Sequence, residues 1–314
     1  MAKKEGDNRF VRFMHGMSAT FGALMSFLFF LIVLVVVIAL FVPSQDISGG
    51  NVAVVPVKGV IAMDGGTDLL QERGTPAETV AGWIKDADED PNTRAIILDI
   101  DSPGGSPVAT DIIARAVLEA NKTVVAVIGE SGASGAFWIA TAADFVIANR
   151  MSLTGSIGVV GSRLEFAGLL DDYNVTYRRL VAGKYKDAGS RWKEMTPEEE
   201  ALFQKMLDEV HGEFIAAIAK NRGLPAERVR EIAHGFVFTG AEAQRLGLVD
   251  ALGTKDDAIR HLEARLNITV ELYEFEPSKT FLQDVVGISS YNIGRGIGTA
   301  LTSVQVSDAV KVTT

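Results

Sequence analysis

AIILDIDSPGGSPVATDIIARAVLEANKTVVAVIGESGASGAFWIATAADFVIA, residues 95–148, alternates short apolar runs with a longer stretch of helical period. Ala95–Ile100, Thr123–Ile128 and Phe145–Ala148 are short and rich in apolar and β-branched residues, the pattern of strands buried on both faces. Between the first two, Val108–Asn121 puts Val108, Ile112, Ile113, Ala116, Val117 and Ala120 on one side of a helix. Upstream, Val52–Val57 reads as another strand and Pro76–Asp88 as another helix. Strands alternating with helices predict an α/β fold with a largely parallel core.

Downstream of residue 195 the pattern turns helical. Thr196-Pro197-Glu198-Glu199 joins a capping hydroxyl, a proline at the first helical position and a glutamate three residues after the cap, which predicts a helix to about Asn221. Shorter helices are expected near Pro225–Ala233, Thr239–Arg245 and Thr254–Leu266. The folded domain is thereby placed at residues 52–275, with 276–314 as a C-terminal extension whose last part, 287–314, is weakly patterned and rich in Gly, Ser, Thr and Val.

Upstream of the domain, Phe21–Val42 is 22 residues without a charge. As a helix it would measure about 33 Å, enough to cross a bilayer core. Lys3, Lys4, Arg9 and Arg12 precede it, and Pro43–Val57 has no Lys or Arg. The positive-inside rule then puts residues 1–20 in the cytoplasm, the anchor at 21–42, a Gly- and Ser-containing linker at 43–51 and the domain outside the cell membrane. A net charge of −10 argues against a nucleic-acid partner, and the lack of cysteine removes disulfides, thiolate metal sites and cysteine nucleophiles.

Four clusters of small and polar residues sit at the ends of predicted strands. Asp99–Ser106 contains Gly104-Gly105, whose backbone amides suit either a plain strand-to-helix turn or an oxyanion hole. Gly132-Ala133-Ser134-Gly135-Ala136 presents a serine that suits either a helix cap or a nucleophile, and it departs from the G-x-S-x-G elbow at Ala136. The four histidines lie outside any motif, which turns the search for a base to lysine. Ala182–Ser190 holds Lys184 and Lys186 after a strand-like Tyr177–Val181. Such lysines are ordinarily solvated, and one acts as a base only if burial drives it neutral. On an extended segment the two would point to opposite sides. In Thr154–Gly158, Ser156 would orient such a lysine or merely satisfy backbone.

In this order, Ser102-Pro103-Gly104-Gly105-Ser106, Ala133-Ser134-Gly135, Leu153–Gly158 and Gly183–Asp187 resemble the signal peptide peptidase A family of serine peptidases, as does the region from Phe238 to Asp250. The resemblance implies a Clp-protease/crotonase-like ββα superhelix, here preceded by a single transmembrane helix, and a Ser-Lys dyad without metal or other cofactor. Residue by residue it implies Ser134 as nucleophile, Lys186 as general base, the amides of Gly105 and Gly135 as oxyanion donors and Ser156 as the group orienting the lysine. It further implies apolar peptide substrates such as cleaved signal peptides, and a homo-oligomer in which one subunit's serine meets the next one's lysine. Cleavage of one membrane partner, such as a stomatin-like protein, is a second reading, and a non-catalytic membrane scaffold a third.

Overall fold

The structure is a computed structural model that describes residues 49–64 and 74–275, together with Met25, Ser26, Phe27, Phe29 and Phe30. Most of the expected anchor, like the segments 1–20 and 276–314, lies outside the described residues. Those of its residues that are described are helical and exposed. Among the described residues no helix is long and apolar enough to cross a membrane.

The described residues from Gly50 to Phe275 form one compact unit built on a sheet of nine described strands. The strands are β1 (Val52–Ala62), β2 (Thr75–Pro76), β3 (Ala95–Gly105), β4 (Thr123–Ala133), β5 (Phe145–Ala148), β6 (Leu153–Gly155), β7 (Val237–Thr239), β8 (Ala251–Leu252) and β9 (Leu272–Glu274). The main path runs β2-β1-β3-β4-β5-β8, all parallel; β9 also pairs β1, β6 pairs β4, and β7 runs antiparallel to β6. Parallel neighbours need crossovers, supplied by α1 (Ala77–Glu89) before β3 and α2 (Pro107–Glu119) before β4. After β4 comes α3 (Gly135–Thr141), and the later helices are α4 (Ala167–Asp172), α5 (Pro197–Arg222), α6 (Ala226–Ile232), α7 (Gly240–Arg245) and α8 (Lys255–Leu266).

The continuous apolar runs are buried on both faces. Ile96, Leu98 and Ile100 face a core shared with α1, α2, α3, α5 and α6, while Ile97, Val125 and Ile147 pack against Ala258 and Leu262 of α8. The mixed α/β architecture with a parallel core is as read from sequence. Two local expectations are corrected. Tyr177–Val181 is not a strand but exposed loop, and Gly183–Gly189 forms turns rather than an extended segment. Tyr177–Val181 pairs with no strand among the described residues, and the Lys186 amide folds back to the Gly183 carbonyl (3.1 Å).

The strands also outrun their apolar runs, and the extra residues break register. β1 and β3 slip between Lys58 and Val60, and β3 and β4 slip between Ile100 and Ser102. At the same level β4 forks. Val125–Ile128 pair with β5, whereas Ser131–Ala133 pair with β6. A register break frees backbone groups that must find partners when buried. Side chains supply them: Ser102 Oγ donates to the Gly59 carbonyl (2.6 Å), and Ser152 Oγ to those of Gly129 (2.5 Å) and Ile128 (3.2 Å). Asp101 accepts from the Ser131 amide (2.9 Å), and Thr154 Oγ1 donates to the Gly132 carbonyl (2.8 Å).

Ser152 is buried, so Ser152→Ala leaves the carbonyls at the fork without this donor. The expected loss is about 1–2 kcal/mol of unfolding free energy with an unchanged urea slope. Urea titration of the full-length protein in detergent checks it; an unaltered midpoint would mean that the fork holds without its hydroxyl.

Candidate active site

The upper branch of β4 ends at Ser134, which links it to α3. Ser134 adopts φ 53°, ψ −125°, a left-handed backbone that non-glycine residues rarely take. Its amide donates to the Gly155 carbonyl of β6 (2.8 Å) and its carbonyl accepts from Trp138 (3.0 Å), so the strained turn is bonded on both sides. Its side chain is half-exposed, and its hydroxyl has no hydrogen-bond partner among the described residues. The neighbouring Ser131, by contrast, spends its hydroxyl on the Ser102 carbonyl (3.3 Å).

Ser134 opens on a cavity of about 150 Å³. Gly105 and Gly135 line it beside the serine, and Trp138, stacked on Phe214 at 5.1 Å, forms an apolar wall continued by Val159 and Val210. The glycines are required by close approach. A Cβ on Gly104, whose φ is +98°, would lie 2.7 Å from the Gly135 nitrogen and 2.8 Å from Ser134 Cβ. One on Gly105 would lie 2.0 Å from the Ile61 carbonyl oxygen. Gly135 is the first residue of α3, where an amide has no carbonyl of its own helix to bond.

Ser156 is brought beside Ser134 by register, since Ala133 pairs Gly155. It too has a positive φ, 50°, and its hydroxyl donates to the Gly235 carbonyl (3.1 Å). With its proton engaged, its oxygen is left to accept. The structure thus gathers Ser134, Gly105, Gly135 and Ser156. Lys186 is not among them: it is exposed on the Gly183–Gly189 turn and lines no part of the cavity.

That turn is braced on both flanks. Arg179 clamps the Asp187 carboxylate with two hydrogen bonds (2.5 and 2.8 Å), which holds Asp187 below the usual carboxylate range. Lys184 bonds Glu198 (2.7 Å), which also accepts from the Tyr185 hydroxyl. Glu198, with Tyr185 beside it, holds the Lys184 ammonium above its ordinary value, the wrong direction for a base. Lys186 makes no ion pair among the described residues.

The described histidines stand elsewhere. His261 stacks on Phe145 at 4.0 Å, with burial pushing its imidazole down; His234 sits edge-on to Phe238; His211 lies on α5. His15 is outside the described residues. Thr110, Trp138, Val159, Val210 and Phe214 were invisible as site residues in the sequence. The wall residues carry only apolar character, which is the signal of core, and Thr110 is one polar residue inside a helix.

Comparison with known proteins decides the family. The model of peptidase family S49 matches residues 116–269. A Methanocaldococcus jannaschii protein named as a protease is 33% identical over 241 residues, 75% of this chain and 77% of its own length. The chain belongs to the signal peptide peptidase A family, S49. Another relative, the chloroplastic serine protease SPPA of Arabidopsis thaliana, is 33% identical over 79% of this chain, which spans only 36% of that longer protein. A protein of Enterococcus faecium named as a signal peptide peptidase is 28% identical over 72% of this chain and 67% of its own. As an S49 member the chain is a serine peptidase.

A backbone strained at one residue yields to glycine there. Relief of a left-handed φ is worth roughly 1–3 kcal/mol and the added chain entropy costs about 0.5–1. Ser134→Gly is therefore expected to unfold at higher urea than Ser134→Ala, by about 1 kcal/mol. Equal midpoints would show that Ser134 carries no strain.

Proposed function

We propose that the chain is a membrane-anchored serine endopeptidase that uses Ser134 and Lys186 as a dyad on apolar peptides, cleaved signal peptides among them. The observation that carries this is the Ser134 turn. A strained strand-to-helix serine with an unpartnered hydroxyl, opening on an apolar cavity beside two glycines, is the geometry an attacking serine needs. Ser134 Oγ would attack the scissile carbonyl, and the amides of Gly105 and Gly135 would hold the oxyanion. Lys186 would take the serine proton and return it to the leaving amine, with Ser156 Oγ accepting from its ammonium.

Lys186 is preferred over Lys184 because Glu198 occupies the Lys184 ammonium. Its exposure in the single chain favours a second subunit as the source of its burial. Exposed apolar side chains point the same way, with Leu180 90%, Val160 86% and Phe236 71% exposed. A homo-oligomer would cover such side chains and bring a neighbour's lysine to the serine. The Clp-protease/crotonase-like superhelix is supported by the parallel sheet with its successive crossovers. The uncharged stretch at 21–42, whose described residues are exposed phenylalanines and neighbours in a helix, supports a single-pass anchor with the N-terminus in the cytoplasm. The apolar cavity and the relative named as a signal peptide peptidase support remnant signal peptides as substrates.

The test uses the full-length protein in detergent with apolar reporter peptides. Ser134→Ala is expected to abolish hydrolysis and to block labelling by a fluorophosphonate. Lys186→Ala should cost about 10²–10⁴-fold in kcat, the usual range for a general base, and Lys184→Ala less than about tenfold. Ser134→Ala and Lys186→Ala subunits, dissociated and reassembled together, should regain activity. Full activity of Ser134→Ala would remove the nucleophile, the reverse ranking of the lysines would move the base, and dead mixed assemblies would put the dyad within one subunit.

A further inference from the structure

Thr110 lies on α2 one turn beyond Ser106, completely buried, and its Oγ1 has no hydrogen-bond partner among the described residues. That is unusual twice over. A threonine inside a helix ordinarily returns its hydroxyl to a carbonyl three or four residues back, and a buried hydroxyl left unbonded forfeits its hydration without compensation. Nothing in the packing of α2 against α1 calls for a hydroxyl there.

What the oxygen touches is Gly135. A Cβ built on Gly135 would fall 2.2 Å from Thr110 Oγ1 and 3.3 Å from Thr110 Cβ, and its three nearest atoms all belong to Thr110. Gly135 has a negative φ, so its backbone alone would accept alanine. The exclusion comes from Thr110. The Gly135 nitrogen is also close to Gly104, where a Cβ would lie 2.7 Å from it. The Gly135 backbone is therefore closely approached by both Gly104 and one hydroxyl oxygen, and both Thr110 and Gly135 line the Ser134 cavity.

We infer that Thr110 is a positioning residue for the reaction: its hydroxyl oxygen is the seat that fixes the Gly135 amide at the oxyanion site. An oxygen suits the place because it accepts a Cα–H contact at about 3.3–3.6 Å, closer than a methyl group tolerates. A displacement of about 0.5 Å is enough to spoil a preorganised donor. The unpartnered hydroxyl is retained because an apolar isostere of threonine cannot sit as near.

This rests on the assignment of Ser134 and Gly135 above, and the experiment separates the two. Using full-length protein in detergent and an apolar reporter peptide, kcat and KM are measured for Thr110→Ser, Thr110→Val, Thr110→Ala, Gly135→Ala and the double variant Gly135→Ala/Thr110→Ala, with thermal unfolding of each. Thr110→Ser keeps the oxygen and should stay within threefold of wild type. Thr110→Val and Thr110→Ala should lower kcat about tenfold or more with KM within twofold, since one donor is misplaced rather than binding lost. Gly135→Ala should lose at least about a hundredfold, and adding Thr110→Ala should return tenfold or more of it by clearing the space. If Thr110→Val fails to fold, the alanine, serine and double variants still decide. The inference is overturned if Thr110→Ala matches Thr110→Ser in kcat, if KM alone moves, or if the double variant is no better than Gly135→Ala. Should Ser134→Ala keep full activity in the same assay, it is the site assignment that fails.

Discussion

Three parallel strands change register at one level, and the Ser134 turn depends on that break. Where β1, β3 and β4 slip past one another the regular ladder cannot continue, and the freed carbonyls and amides would be costly if left bare. Ser102, Asp101 and Ser152 reach across and bond them. The repair lets β4 part from β5 and take β6 as its neighbour. Because β6 brings the Gly155 carbonyl to the Ser134 amide, the strained backbone at Ser134 is held by the fork and not by its own preference. A few polar side chains at the register break thus hold the fork from which the serine turn springs.

Close packing then does for the amides what the fork does for the serine. Gly104, Gly105 and Gly135 each sit where a single methyl group would collide with backbone or with Thr110. Such contacts leave little freedom, and a group that must meet a developing charge gains most when it need not reorganise at that moment. The cavity wall of Trp138 on Phe214 is of a different kind, an apolar surface built by ring stacking rather than by contacts at closest approach.

The architecture was readable because buried parallel strands have no polar face: Ala95–Ile100 and Thr123–Ile128 announced themselves by composition, and so did the capped helix that starts at Pro197. Their extensions were not. Ser102–Gly105 and Gly129–Ala133 carry the glycines and serines of turns, and only pairing with distant partners makes strand of them. Tyr177–Val181 shows the opposite failure, strand-like residues with no edge to join. Ser134, Gly105, Gly135 and Ser156 were legible as ordered motifs, and the fold draws them to one place. Thr110 was not, because its role lies in a contact between two helices that no local pattern encodes.

The two halves of the proposed dyad are held by forces of different kinds. Sheet register, buried hydrogen bonds and contacts at closest approach fix the serine half, and salt or modest changes of pH act weakly on all of them. The lysine half is a turn outside the sheet, braced by Arg179 on Asp187 and by Glu198 on Lys184, ion pairs in contact with water. Exposed pairs of that sort are worth little alone and are screened by ions. Exposed apolar side chains of this chain, Leu180 and Val160 among them, are what a covering surface would bury first. The same burial that removes their exposure would desolvate the amine. On that reading the serine half is complete within the chain, and assembly is the step that would bring a lysine to it.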